Sequence, residues 1–288
     1  MSEPDLPHLP EALRARLGGP VLEVERPPQG GQFDVTLLTT AAGKFSLKVG
    51  RTPETVAALA DESRVLAALA AYRPLVAAPV GHVVEENGAG WFLFTCLPGR
   101  DLAHALWEPG STPDRRKRLV ALFGETLRAV HDKFAPSGLP RDVDWAARKI
   151  GAARANATPE RVNDLLTNAG FWGRDARELA AALNAFGDHA TDLVFGHGDW
   201  CLPNVLVLGE TISGVVDWSW GQYLDRRFDL ATGLRSLRYN LDALSEDPAD
   251  AARITDYFST YFSTFLAAYG WPDPPETLRP FEALYSFL

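Results

Sequence analysis

The sequence predicts an α+β fold in two lobes, and three observations carry that prediction. The first hundred residues read as strands with one helix, the remainder as long helical segments, and one short β-rich island interrupts the helices. In chain order, residues 33–39 are an apolar, β-branched run, and Ala41-Ala42-Gly43-Lys44 is a turn signal. Residues 45–49 then alternate, with Phe45, Leu47 and Val49 on one face and Ser46 and Lys48 on the other. Thr52-Pro53-Glu54 starts a helix, Thr52 as N-cap and Pro53 at the first helical position. That helix is expected to reach about Ala71 and to stop before Pro74, and residues 91–95 form a further strand. From Pro98-Gly99 onward the periodicity predicts helices over 113–133, 145–155, 159–169, 175–187, 250–269 and 276–287. In the island, Val194-Phe195 leads into His197-Gly198-Asp199, and residues 205–208 and 212–216 form a hairpin around Gly209-Glu210. The expected division is a strand-rich lobe over 1–97 and a helical lobe with a small hairpin over 98–288. A cleft between such lobes is the natural place for a ligand.

Composition narrows the class. At 288 residues the chain buries a substantial core without staples. Its net charge of −9 excludes the broad basic surface of a nucleic-acid binder. Most of the acid excess lies in residues 191–288, with 14 acidic and 6 basic side chains. A solvated acidic face, a metal site or a cationic ligand would each account for it. Two cysteines make no disulfide framework, so a reducing cytoplasm is the expected location. The acidic, proline-broken start Met-Ser-Glu-Pro-Asp is unlike a signal peptide. No apolar run approaches the roughly 18 residues a membrane span needs, so no membrane partner is expected.

The chemistry concentrates in His197-Gly198-Asp199-Trp-Cys-Leu-Pro-Asn204, with Asp217 thirteen residues further on. A carboxylate closes a strand, an amide follows five residues later, and a second carboxylate ends the hairpin. That order suits phosphoryl transfer: one carboxylate orients and deprotonates an alcohol, while the amide oxygen and second carboxylate offer hard ligands to Mg²⁺ on phosphates. A bare Asp-x-x-x-x-Asn is common, and a turn capped by the two side chains is its bland reading. The preceding His-Gly, the flanking strands and the downstream Val-Val-Asp217-Trp make it specific. Cys201 and His197 are four residues apart with no orienting third group, which argues against a Cys–His nucleophile. The cysteines and histidines also lack zinc-ligand spacing.

This segment resembles the aminoglycoside phosphotransferase family, and within it the 3'-phosphotransferases most closely. Cys201-Leu202-Pro203-Asn204 is similar to their form of the loop, and Asp225-Arg226-Arg227-Phe228-Asp229-Leu230-Ala231 to their following segment. The tail from Phe265 to Gly270 and Leu284-Tyr285-Ser286-Phe287-Leu288 resembles their end. The resemblance implies a two-lobed protein-kinase-like fold, with ATP or GTP as phosphate donor, Mg²⁺ as cofactor and a small hydroxylated acceptor. It implies Asp199 as catalytic base, Asn204 and Asp217 as metal ligands, and His197 as support of the loop. Asp229 would brace that loop. Arg226 or Arg227 would add positive charge near the transferred group, pairing with Asp225 or Asp229 being the alternative.

Lys48 is an independent check. It lies on the polar face of its strand, where such a fold needs a lysine for the α- and β-phosphates, paired to a helix glutamate. Glu62 is that candidate, three residues from Leu59 and Val65 and four from Leu66, with Asp61 as the fallback. The phosphate-covering loop falls at Gln29-Gly30-Gly31-Gln32, where Gly30 and Gly31 allow close backbone approach or simply turn the chain. By resemblance the Thr95 carbonyl and Leu97 amide bind the purine with Phe94 behind it, which leaves ATP and GTP undistinguished.

The acceptor region departs from the family. Tyr285 and Ser286 stand where the 3'-phosphotransferase tail carries acids, leaving the terminal carboxylate of Leu288. Residues 161–172 offer only Asp164. Asp242 and Glu246, with Asp247, Asp250 and Asp256, could replace the lost charge or face solvent. The expected activity is therefore transfer to an aminoglycoside-like, cationic acceptor. A kinase of another hydroxylated metabolite or antibiotic and a non-catalytic nucleotide-binding protein are the alternatives.

Overall fold

A computed structural model describes residues 8–27, 33–85, 87–168, 175–186, 192–242 and 251–288, with backbone alone at 168, 241–242 and 251–258. The chain forms two compact units. The first comprises Met1–Gly99, Pro136–Gly138 and Ser213–Gly221; the second comprises Arg100–Ala135, Leu139–Ile212 and Gln222–Leu288. The chain thus returns to the first unit twice after residue 99, whereas the sequence suggests a single crossing at 97/98.

The first unit is built on a five-stranded antiparallel sheet in the order β1-β2-β3-β5-β4. Its strands are β1 (Val21–Glu25), β2 (Asp34–Thr40), β3 (Gly43–Gly50), β4 (Pro79–Val84) and β5 (Gly90–Thr95). The alternation read in β3 sends Phe45, Leu47 and Val49 into an apolar cluster with Leu38, Trp91 and Leu93. Leu9, Leu13 and Leu17, on and around the short helix α1 (Glu11–Arg14), close that cluster. Helix α2 (Pro53–Ala68) covers the other face, and Thr52 caps it as expected, its hydroxyl accepting from the Thr55 amide. β4 begins with a proline and occupies a sheet edge, where a missing N–H is tolerated.

The second unit is mainly helical: α3 (Leu102–Trp107), α4 (Pro113–Lys133), α5 (Trp145–Asn156), α6 (Pro159–Asn168), α7 (Ala176–Asn184), α8 (Arg226–Asp242), α9 (Ala251–Tyr269) and α10 (Arg279–Phe287). The expected helix over 113–133 is α4 to the residue. α4 packs on α9, and a Cβ on Gly124 would overlap the Phe265 carbonyl oxygen, so the two backbones meet at that glycine. α10 packs on α5, α7 and α8. Two short antiparallel pairs complete the unit: β7 (Leu193–Gly196) with β10 (Gln222–Asp225), and β6 (Arg100–Asp101) with β8 (Val205–Leu208). β9 (Thr211–Val215) forms the expected hairpin arm after β8 and carries the chain back into the first unit. No helix of the described residues is long and apolar enough to cross a membrane.

Candidate functional site

Each unit presents a polar centre that gathers candidates named above. In the first, Lys48 lies on β3 with its side chain 8% exposed. Its Nζ donates to Glu62 Oε1 and Oε2 at 3.0 and 2.9 Å and to Asp217 Oδ1 at 3.0 Å. Glu62, flanked on α2 by buried Leu59, Val65 and Leu66, is itself only 1% exposed. A carboxylate so placed demands a cation, and Lys48 supplies it. Burial opposes the Lys48 charge, but Glu62 and then Asp217 outweigh it, so its pKa is raised and the ammonium is held. The Phe33 and Phe94 rings lie 5.3 and 5.7 Å from Nζ.

Asp217 reaches this centre because residues 215–218 are pinned at several points. The Val215 amide donates to Leu75 O at 2.9 Å, the Trp218 indole to Val215 O at 2.9 Å, and the Trp218 amide to Glu62 Oε1 at 3.3 Å. Asp217 is the one non-glycine residue with positive φ among those described (φ 61°, ψ 61°). Such a conformation costs on the order of 1 kcal/mol and persists where its surroundings impose it, often at functional sites. Ser219 Oγ also donates to Asp217 Oδ1, at 3.1 Å.

The second centre follows β7, which delivers His197, Gly198 and Asp199. Gly198 has φ 82°, which explains the glycine between histidine and aspartate. Asp229, in the first turn of α8 and fully buried, accepts the His197 amide on Oδ2 and the Gly198 amide on Oδ1, both at 2.7 Å. His131 Nε2 of α4 lies 3.1 Å from the same Oδ2. A carboxylate can only accept, so Nε2 carries a proton toward it, and Nδ1 meets the Tyr269 hydroxyl at 2.8 Å. Arg226 Nη1 donates to that phenol oxygen at 3.1 Å, so a continuous hydrogen-bonded chain runs from Arg226 through Tyr269 and His131 to Asp229. His197 is fully buried, its Nδ1 accepting from the Asp199 amide at 3.3 Å and its ring edge-on to Trp200.

Asp199 itself accepts three side-chain hydrogen bonds. Tyr285 of α10 donates to Oδ1 at 2.9 Å, the Cys201 thiol to Oδ1 at 3.0 Å, and Asn204 Nδ2 to Oδ2 at 3.0 Å. Asn204 Nδ2 also donates to the Asp199 carbonyl at 2.9 Å. Two acceptors on one nitrogen fix the amide orientation and turn Asn204 Oδ1 away as the remaining acceptor. Burial, then Asp199, push the Cys201 thiol well above its usual range, so it is a protonated donor and no nucleophile.

Other candidates fall out differently. Arg226 pairs with neither Asp225 nor Asp229: its Nε meets Asp192 at 2.5 Å, while Arg227 forms a two-point pair with Asp225 at 2.8 and 2.6 Å. The Arg226 charge is thus already compensated, because the turn from β10 into α8 aims it at the residue preceding β7. Thr95 is pinned by mutual bonds with Ala78 (2.9 and 2.8 Å), and the Leu97 side chain lies against Gly214. Gly30, Gly31, Glu246 and the Asp242 side chain lie outside the described residues. Asp164 is exposed on α6 and pairs with Arg161 at 2.8 Å. Leu288 continues the last turn of α10, its amide donating to Leu284 O at 3.1 Å. Of the remaining late acids, Asp273 and Glu276 are exposed, and Glu282 is buried under Arg235, Arg238 and Arg279.

Nothing in the sequence pairs Tyr285 with Asp199, or His131 with Asp229 and Tyr269. The oddity of Tyr285 in the tail was the one available signal. His131, two residues before the end of a predicted helix, carried none.

Comparison with known proteins identifies the family. An aminoglycoside 3'-phosphotransferase of Niallia circulans is 30% identical over 186 residues, 58% of this chain and 66% of that protein. The corresponding protein of Streptomyces fradiae is 29% identical over 203 residues, covering 67% and 66%. The matched region thus spans just under two thirds of these curated relatives. The crystal structure of an aminoglycoside-3'-phosphotransferase of type VIII superposes with a TM-score of 0.64 at 25% identity, over 96% of this chain and 98% of that one. A macrolide 2'-phosphotransferase from Brachybacterium faecium shares the fold, with a TM-score of 0.56 at 20% identity, over 95% and 86%. Residues 23–279 match the model of the phosphotransferase enzyme family, and with its two-part α+β architecture the chain belongs to that family.

Proposed function

We propose that this chain transfers the γ-phosphoryl group of ATP or GTP to a hydroxyl of an aminoglycoside-like antibiotic. The observation that carries the reading is the Asp199 carboxylate, held by Asn204 on a loop whose backbone is itself tied to the buried Asp229. A braced carboxylate at the end of a strand is what an alcohol acceptor needs: it aligns the hydroxyl and receives its proton as the bond to phosphorus forms. Lys48, kept charged by Glu62 and Asp217, is the cation for the α- and β-phosphates. Asp229 and His197 act through the loop, not on the substrate.

The donor set fits a hard divalent cation such as Mg²⁺. Asn204 has its Nδ2 committed to Asp199 and so offers Oδ1, and Asp217 offers a carboxylate whose backbone is fixed. When bound, the ion would neutralise charge on the β- and γ-phosphate oxygens. Asn204 and Asp217 would hold it.

One observation favours a second acceptor class. Tyr285, not an acid, touches Asp199, which suits a neutral hydroxylated acceptor as well as a cationic one. The test follows ADP release with ATP and Mg²⁺ against kanamycin, other aminoglycosides, macrolides and sugars. Kanamycin-dependent turnover abolished in Asp199→Ala supports the primary reading. Turnover with neutral alcohols alone selects the second. Nucleotide binding with no acceptor-dependent release identifies a binding protein and removes both.

A further inference from the structure

The hydrogen bonds on Asp199 are unequal in a way that distinguishes its two oxygens. A carboxylate offers two lone-pair sites per oxygen. Oδ1 receives both the Tyr285 hydroxyl (2.9 Å) and the Cys201 thiol (3.0 Å), so both of its sites are occupied. Oδ2 receives the Asn204 amide alone (3.0 Å), leaving one site among the described contacts. We propose that Tyr285 and Cys201 form a fixed clamp on Asp199 Oδ1, and that Oδ2 is the atom that takes the acceptor's proton.

Both donors are built to stay in place. Tyr285 rides on α10, whose Phe281, Leu284 and Phe287 are buried and whose Glu282 is gripped by Arg235, Arg238 and Arg279. Its ring packs against Phe228, with centroids 6.1 Å apart. Cys201 precedes the turn Leu202–Asn204, which is tied to α8 by the Leu202 amide donating to Ser236 Oγ at 2.9 Å. Burial keeps both groups in their neutral, donating forms. Three donors on one carboxylate resist its rotation, since a quarter-turn would break all three bonds and a half-turn only restores the same arrangement with the two oxygens exchanged.

The proposal rests on the phosphoryl-transfer reading and deepens it to one atom. In the step, the acceptor oxygen bonds the γ-phosphorus, the bond from phosphorus to the leaving diphosphate oxygen breaks with its electron pair, and the acceptor proton passes to Oδ2. Tyr285 and Cys201 are positioning residues here, because they act through Asp199.

The experiment combines kinetics with a turnover-independent readout. With ATP, Mg²⁺ and kanamycin or the best acceptor of the panel above, Tyr285→Phe is expected to lower kcat about tenfold while the acceptor KM stays within about twofold. Cys201→Ser, which keeps a donor, recovers most of the kcat that Cys201→Ala loses. If Tyr285 instead plugs the acceptor's place, Tyr285→Phe keeps or raises kcat, lowers the acceptor KM and raises acceptor-free ADP release, and the clamp is overturned. Urea midpoints of Tyr285→Phe, Asp199→Asn and the double variant are measured in parallel; the contact predicts non-additive shifts. Additive shifts in an active enzyme overturn the clamp alone. A protein that phosphorylates no acceptor overturns the transfer reading and the proposal with it, whatever the midpoints.

Discussion

Replacing Asp229 by asparagine isolates the support of the catalytic loop from its chemistry. The two side chains have the same shape, so no cavity forms, but an amide presents one acceptor oxygen and one donor nitrogen where two acceptors stood. Asp229 is fully buried and receives two backbone amides at 2.7 Å and His131 at 3.1 Å. In either orientation one backbone N–H of the loop faces an NH₂. The loss is one hydrogen bond to a charged group, about 1.5–3 kcal/mol, plus an unpaired buried N–H at about 1–3 kcal/mol. A destabilisation of about 2.5–6 kcal/mol follows, a large share of ordinary stability. Urea unfolding checks the magnitude, and hydrogen exchange over residues 193–200 checks its location. Keeping the oxygen toward the His197 amide and His131 retains two bonds, so the Gly198 amide should lose protection, and kcat should fall by about two orders of magnitude as Asp199 shifts. A variant within about 1 kcal/mol of the parent, with full turnover and unchanged exchange at Gly198, would refute this account of the loop.

Glu62→Gln leaves the Lys48 ammonium buried with Asp217 as its remaining carboxylate; a loss of about 3 kcal/mol in urea unfolding and a raised KM for nucleotide are expected. Iodoacetamide at pH 8 should leave Cys201 and Cys96 largely unmodified in the native protein and label both after denaturation. Burial raises each thiol's pKa, so the reactive thiolate is scarce below about pH 9 and grows only as pH rises; mass spectrometry of the labelled peptides decides. Gly124→Ala forces a methyl into the Phe265 carbonyl at the α4–α9 crossing, and overpacking of about 1–3 kcal/mol should appear as a lower thermal midpoint. An unchanged midpoint would mean the helices can separate at no cost.

What could be read in the sequence follows from the range of the interactions involved. Lys48 was legible because strand alternation alone sets it opposite Leu47 and Val49, and Glu62 because its spacing puts a charge among apolar neighbours. The loop from His197 to Asn204 was legible because its chemistry is contiguous. α8 escaped detection because nearly all of residues 228–237 are buried, so it has no polar face to impose a helical period. β4 escaped because Pro79 and Gly81 argue against a strand, an objection its edge position removes. Tyr285 and His131 could not be foreseen, since they lie 86 and 98 residues from Asp199 and Asp229 and meet them only through helix packing. The pairing with Asp225 weighed for Arg226 or Arg227 is made by Arg227, its neighbour in sequence, whereas the Arg226 partner, Asp192, lies 34 residues away and could not be read from the local sequence.

The return of Ser213–Gly221 to the first unit has a consequence for synthesis on the ribosome. Lys48 and Glu62 emerge early, but their third partner, Asp217, and the Trp218 amide that meets Glu62 are made only after residues 100–212. At translation speeds of ~5–20 residues per second, the first unit waits roughly ten seconds with all five strands of its sheet made and an unfinished ion cluster. A nascent chain arrested before residue 213 should therefore be protease-sensitive around α2, and one arrested well past residue 221 resistant. The sheet of the first unit can form as it is made, but its ion cluster is completed only by a segment synthesised after most of the second.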